Sequence, residues 1–166
     1  LLGYLDTDGG YTGFDISPKA VDWCHKRITP HNPRFCFFYA DIYNQEYNPR
    51  GAFSATDYVF PCEDESIDFA FATSVFTHMR EDEVRHYLSE TARVLKPGGR
   101  AWLNFFIVDE TTDRLAAEGQ SSQNFNIRLA DGFTIDGRTP ERAIAFSEPQ
   151  IRRLLREAGL TLTPPV

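Results

Sequence analysis

The sequence is short of cysteine, of methionine and of any long apolar run, and each shortage closes off a class of protein. Its three cysteines, Cys24, Cys36 and Cys62, are odd in number and show no Cys-x-x-Cys spacing. Neither a disulfide framework nor a zinc site is indicated, and no metal is expected. Buried thiols in a reducing cytosol are the simplest reading, which makes a cytoplasmic location the default. No apolar stretch approaches the roughly 18 residues of a membrane span, and no charged-then-apolar signal segment opens the chain. Basic residues are outnumbered, 17 Lys and Arg against 24 Asp and Glu, for a net charge of −7. That balance argues against nucleic acid or an acidic membrane as a broad partner, since both need a basic face that displaces counterions. The only methionine is Met79, and the chain opens on Leu1-Leu2-Gly3. We therefore expect an N-terminus that has been cut back.

What is present describes an ordinary globular domain. A length of 166 residues, 42% of them hydrophobic, suffices for one domain with a substantial core, so residues 1–166 are expected to form a single unit. Tyr11 to Ile16 reads as a short strand. Ser17-Pro18 then offers an N-cap hydroxyl and a proline at the first helical position. Val21, Cys24 and Ile28 recur at helical spacing until Thr29-Pro30 stops the helix. Arg34 to Ala40 is an aromatic-rich strand ending at Asp41. Residues 43–66 lose periodicity and form a long loop, a candidate lid. Ile67 onward is a near-continuous apolar run, the pattern of a strand covered on both faces in a parallel sheet. Val84, Leu88, Thr91 or Ala92, and Leu95 share one face of a following helix, which Lys96-Pro97-Gly98-Gly99 ends. Arg100 to Val108 reads as one strong strand, and Asp109 to Gly119 as a short helix. Within residues 120–142, two alternating segments flank Asp131-Gly132, a dipeptide favoured in tight hairpins. Ala143 to Phe146 suggests another strand. Ser147-Glu148-Pro149-Gln150 resembles a capping box before a helix carrying Ile151, Leu154 and Leu155. Leu160 begins what reads as a last strand. Strands alternating with helices point to a mostly parallel α/β sheet, with the hairpin as a small antiparallel insertion.

Ligands of such sheets sit beyond the carboxyl ends of the strands, which directs attention to the residues there. Asp15 either accepts hydrogen bonds from ribose hydroxyls or merely favours the positive end of the next helix. Asp41 either accepts from an adenine amino group, with a neighbouring amide reading the ring nitrogen, or makes an Asx-type turn into the loop. Thr73-Ser74 puts small residues where a ligand can approach the backbone. Phe76 either stacks on a ring or fills core. His78 either serves as a general base or packs against the next helix. Tyr43, Tyr47, Phe53, Tyr58 and Phe60 either cover a small-molecule cleft or pack the loop.

Four segments together carry a resemblance: Gly13-Phe14-Asp15-Ile16-Ser17; Ala40-Asp41-Ile42; Phe60-Pro61 through Asp68-Phe69 into Ser74-Val75-Phe76-Thr77-His78; and Arg93-Val94-Leu95-Lys96-Pro97-Gly98-Gly99. They resemble the class I S-adenosylmethionine-dependent methyltransferases. The resemblance implies a Rossmann-like fold and S-adenosylmethionine as cofactor. It places Asp15 and Ile16 at the ribose, Asp41 and Ile42 at the adenine, Ser74 and Phe76 near the methionine portion, and His78 toward the acceptor. The family's first strand and glycine-rich turn have no counterpart in the sequence, so the domain is expected to be incomplete at both ends. The implied function is methyl transfer to a small or medium-sized acceptor, with a small-molecule substrate as partner and the oligomeric state left open. The alternatives are a cofactor-binding or scaffolding module of the same fold and an NAD-dependent oxidoreductase.

Overall fold

A computed structural model describes residues 9–163. Two expectations reach beyond them: Leu1, Leu2 and Leu5, which would share one face if a helix ended there, and the last part of the strand expected from Leu160, which Pro164-Pro165 ends. The chain divides after Ser54 into two compact units, which are taken in turn.

In the first unit, β1 (Tyr11–Asp15) and β2 (Phe35–Tyr39) pair in parallel, with Tyr11 opposite Phe35 and Asp15 opposite Tyr39. The crossover is α1 (Pro18–Arg27). It starts as the sequence predicts, because the Ala20 amide donates to Ser17 Oγ at 3.3 Å and Pro18 occupies the first turn. Lys26 and Arg27 close it with positive charge at the negative end of the helix dipole. Val21 is its buried residue, while Trp23 is exposed. Tyr11 lies across the pair, its ring 5.3 Å from Phe35 and 5.6 Å from Phe37.

In the second unit, β3 (Ile67–Ala72) and β4 (Leu95–Leu103) are also parallel and joined by a helix, α2 (Glu81–Val94). Val84, Leu88, Thr91 and Leu95 are buried as their spacing requires, and Tyr87 and Glu90 join them. The Lys96-Pro97-Gly98-Gly99 segment does more than stop the helix. Leu95 already pairs with Ile67, and pairing resumes only at Phe69 opposite Arg100. The four residues between bulge out of the ladder, and Gly98 takes the left-handed conformation this needs, with φ +80°.

Two strand expectations are corrected. The run from Ile67 was expected to be covered on both faces, yet Asp68 and Phe69 are exposed and no residue of β3 is fully buried. Among the described residues β4 is its only bonded neighbour, so one edge of the strand carries no pairing there. Arg100 to Val108 was expected to be one strand, but it breaks at Asn104-Phe105. The remainder, β5 (Phe106–Ile107), pairs in parallel with β8 (Ile144–Phe146) in a different sheet.

That sheet is mixed, in the order β5-β8-β7-β6. The predicted hairpin forms its edge as β6 (Ile127–Arg128) and β7 (Phe133–Thr134). Its connection is four residues rather than two, closed by the Leu129 amide on Gly132 O at 2.8 Å. Asp131 is diverted from turn-making, because both its carboxylate oxygens take the Arg80 guanidinium, at 3.0 and 2.5 Å. Between β5 and the hairpin runs α3 (Glu110–Ala117), capped by Asp109. The predicted capping box before α4 (Glu148–Glu157) is also corrected: Ser147 makes no side-chain cap bond. Gln150 instead reaches the Asp131 carbonyl at 2.9 Å and the Glu81 carboxylate. Residues 160–163 form no strand. The thiols expected to be buried are not, since the fold leaves Cys36 exposed and Cys24 and Cys62 half-buried. The core of the unit is β8, buried along its length, with Phe76, Val84, Leu88 and Leu154. The α/β class holds, with three small sheets among the described residues.

Candidate functional site

Strand ends are the candidate positions. In the first unit, Asp15 is the last residue of β1 and is exposed. Its Oδ1 accepts the Ser17 amide at 2.7 Å, which fixes the carboxylate at the mouth of the strand while the fork keeps further lone pairs for a ligand. Ile16 beside it is half-buried. One strand over, Asp41 is bound into its own loop. Tyr39 donates its hydroxyl to Asp41 Oδ1 at 2.7 Å, and Asn48 Nδ2 donates to the same oxygen at 3.3 Å. These two donors, Tyr39 first, hold the Asp41 carboxyl below the usual range. Ile42 is buried, and its amide donates to Ala40 O at 2.8 Å. The loop returns to this point through Phe53, whose carbonyl takes the Tyr43 amide. Gly51 makes that possible, because a Cβ there would lie 2.3 Å from the Ile42 backbone. Tyr43, Tyr47 and Phe53 stand exposed around it.

An adenosine group fits the first of these acids better than the second. Asp15 offers an exposed carboxylate already oriented by its own helix. At Asp41, Tyr39 and Asn48 share Oδ1, and the Ile42 amide that an adenine would use is engaged by the Ala40 carbonyl.

In the second unit, β3 ends at Ala72 opposite Leu103 of β4, so the two carboxyl ends lie side by side. Ser74 has φ +55°. This left-handed conformation costs a non-glycine residue on the order of 1–3 kcal/mol and persists only when the surroundings enforce it. The enforcing bond is visible: the Ser74 amide donates to Asn104 Oδ1 at 2.8 Å, across 30 residues of sequence. Phe76 and Thr77 follow in a 3-10 turn, Phe76–His78, and both are buried. The Phe76 ring lies 4.9 Å from Phe105 and meets Tyr87 edge-on at 6.3 Å. Of the two roles open to Phe76, packing is therefore the one observed. Among the described residues the Thr77 hydroxyl is buried without a hydrogen-bond partner. His78 is half-buried, and its Nδ1 lies 3.0 Å from the Glu141 carbonyl. With the proton on Nδ1 that nitrogen donates to the carbonyl, and Nε2 becomes the basic atom.

Several partners in this region escape sequence reasoning. Arg93 sits within the Leu-Lys-Pro-Gly-Gly resemblance, yet its guanidinium stitches loop to helix. It donates to both Glu90 oxygens, to Asp64, and to the carbonyls of Phe60 and Cys62. Glu90, buried on α2, also takes the Phe60 amide at 2.8 Å. Phe60 meets Tyr87 edge-on at 5.0 Å, so this part of the expected lid segment is tied down. Glu83 accepts the Arg80 amide at 2.6 Å. Burial pushes its carboxyl up to about 7 against that bond, with Glu141 and Asp82 adding to the rise. Asn104 had one signal in sequence, a lone amide inside an otherwise apolar run.

Among the described residues no group of His, Cys, Asp and Glu is placed to hold a metal ion, and no helix is long and apolar enough to cross a membrane.

The methyltransferase domain family matches residues 2–103, which spans both parallel pairs and the strand ends just described. The chain belongs to this family. Its fold is shared with solved structures of low sequence identity. One is a SAM-dependent methyltransferase from Methanosarcina mazei, at 23% identity and TM-score 0.56, covering 89% of this chain and 67% of that one. Another is the PH0226 protein from Pyrococcus horikoshii OT3, at 16% identity and TM-score 0.58, covering 89% and 61%. A third lies in the complex between the Haloferax volcanii Trm112 methyltransferase activator and a putative methyltransferase, at 20% identity and TM-score 0.55, covering 93% and 52%. At these identities the likeness is one of fold. This methyltransferase-family chain spans roughly half to two thirds of their lengths. The family match ends at Leu103, so Asn104 and everything from β5 to α4 lie beyond it.

Proposed function

We propose that this chain belongs to an enzyme that transfers a methyl group from S-adenosylmethionine to a small or medium-sized acceptor. The observation that carries the proposal is Asp15: an exposed carboxylate at the end of a parallel strand and the start of a helix, inside a methyltransferase-family match. Bound S-adenosylmethionine supplies a methyl group on a sulfonium, which an acceptor heteroatom displaces in line, so alignment provides most of the rate. Asp15, with Ile16 beside it, takes the ribose hydroxyls. Asp41 and Ile42 take the adenine by exchanging their loop partners Tyr39 and Ala40 for the base. Ser74 forms the wall on the methionine side, and Phe76, packed into the core, supports that wall from behind. His78 takes the proton of a hydroxyl acceptor at Nε2, because Nδ1 is committed to the Glu141 carbonyl.

Calorimetry with S-adenosylhomocysteine and with NAD tests the assignment. Binding of S-adenosylhomocysteine is the expected result. Tighter binding of NAD would make the protein an oxidoreductase, and no heat with either would leave a scaffolding module. Where an acceptor is found, His78→Gln should lower kcat by about 10²–10⁴-fold with little change in cofactor affinity, the range for a positioned general base.

A further inference from the structure

The turn after β3 is held in an uncommon conformation by a residue that no family pattern covers, and this makes Asn104 more than a strand break. We propose that Asn104 is a positioning residue: its side-chain carbonyl clamps the Ser74 amide and so presents the backbone of Thr73 to Val75 to the methionine portion of the cofactor. The inference rests on the methyl-donor reading given above.

Three observations converge on it. Ser74 adopts φ +55°, which an L residue avoids unless it is held there. The bond that holds it is a good one at 2.8 Å, and it joins the carboxyl ends of two neighbouring parallel strands, β3 and β4. In open α/β sheets that edge is where ligands approach. Lastly, Asn104 interrupts an apolar run that would otherwise continue as one strand, and the break separates β4 from β5. The amide side chain thus stands where the ladder alone would call for an apolar residue.

The clamp acts on the turn and not on the core. Phe76, two residues on, is buried against Tyr87 and Phe105 independently of the Ser74 amide. Loss of the clamp should therefore release Thr73 to Val75 while leaving Phe76 seated. A residue that merely stabilised the fold would lower the melting temperature and cofactor affinity together. A positioning residue lowers affinity with the melt nearly unchanged.

The test uses the whole chain with S-adenosylhomocysteine as the probe, read by calorimetry, together with thermal melts and the exchange rate of the Ser74 amide by NMR. Asn104→Ala should weaken binding about tenfold, the effect of losing one well-placed hydrogen bond, and should speed Ser74 amide exchange without a comparable loss of melting temperature. Asn104→Asp keeps an oxygen acceptor and should recover most of the affinity. Ser74→Gly placed on Asn104→Ala should also recover part of it, because glycine takes positive φ without a clamp. Wild-type binding with an unaffected Asn104→Ala variant would overturn the positioning role alone. So would equal losses in Asn104→Ala and Asn104→Asp. A wild-type chain that binds no S-adenosylhomocysteine would overturn the methyl-donor reading and the positioning role with it.

Discussion

The two parallel strand pairs, β1–β2 and β3–β4, share one topology, strand then helix then strand, yet their carboxyl ends are held in different ways. At the ends of β1 and β2 the side-chain bonds of Asp15 and Asp41 are local. Asp15 bonds an amide two residues on, and Asp41 bonds Tyr39 two residues back and Asn48 seven residues on. At the ends of β3 and β4 the ties are distant, with Ser74 held by Asn104 across 30 residues and His78 by Glu141 across 63. Exposure follows the same division. The division lies past the strand ends and not along the strands, since Phe38 and Tyr39 on β2 (42% and 43%) and Phe69 and Trp102 on β3 and β4 (44% and 57%) are all exposed, whereas Phe76 after β3 is 1% exposed. Local bonds orient a carboxylate at little cost and leave it in solvent, while distant ties need a packed core to supply their partners. The first pair is built to present charged acceptors, and the second to hold a shaped wall.

The largest expected effect breaks that wall. Phe76→Ala removes a buried ring from between Tyr87 and Phe105, and should destabilise the chain by about 3–5 kcal/mol through lost burial and the cavity left behind. Phe38→Ala on the first pair should cost no more than about 1 kcal/mol, since an exposed ring loses little on truncation. Chemical denaturation measures both. Similar losses at the two positions would erase the contrast in packing.

The same contrast explains what was legible in the sequence. Ser17-Pro18, the helical spacing of Val84, Leu88, Thr91 and Leu95, and the apolar run from Ile67 all act over a few residues, and each element formed where its pattern placed it. Failures came where a distant partner outbid a local preference. Gln150 abandons its capping box for Glu81 and the Asp131 carbonyl. Asp131 leaves the tight turn for Arg80. Asn104 splits an apolar run in order to hold Ser74. No short-range pattern encodes a bond across 30 or more residues, so Glu141 and the clamp at Arg93 carried no signal, and Asn104 stood out only as a lone amide in an apolar run, with nothing to name Ser74 as its partner. The candidate acids were legible for the opposite reason, because Asp15 and Asp41 are defined by the strand each one ends.

A middle-sized effect separates those two acids. Asp15→Asn should weaken S-adenosylhomocysteine binding by about 10- to 100-fold, the range for hydrogen bonds to a charged group, with little change in melting temperature. Asp41→Asn should weaken it less, because Tyr39 and Asn48 already share its Oδ1 and draw on the charge that a ligand would use, whereas Asp15 accepts a single amide. Calorimetry on the pair reads the ratio directly. An Asp41 variant that loses as much affinity as the Asp15 variant would mean that the loop bonds do not compete with the base.

The smallest expected effect uses pH to set the regions apart. Asp41 is held below the usual carboxyl range, so its contribution to stability is present above its unfolded pKa and lost as the pH falls through the folded one. Glu83 runs the other way. Burial raises it from 4.5 to about 7, so its contribution is complete below pH 4.5 and is lost as the pH rises through 7, where the fold must hold a half-buried carboxylate near Glu141 and Asp82. Glu83→Gln keeps an oxygen for the Arg80 amide and removes the charge. The variant and the wild type should therefore melt alike near pH 4.5 and diverge toward pH 8. There the variant should be more stable by about 1–2 kcal/mol, a figure reduced from the full shift because Glu83 is only part-buried and keeps its bond to Arg80. Parallel melting curves from pH 4.5 to 8 would show that Glu83 is solvated like the acids of the first pair. The electrostatic half of the contrast between the two regions would then be lost, while the packing half would stand.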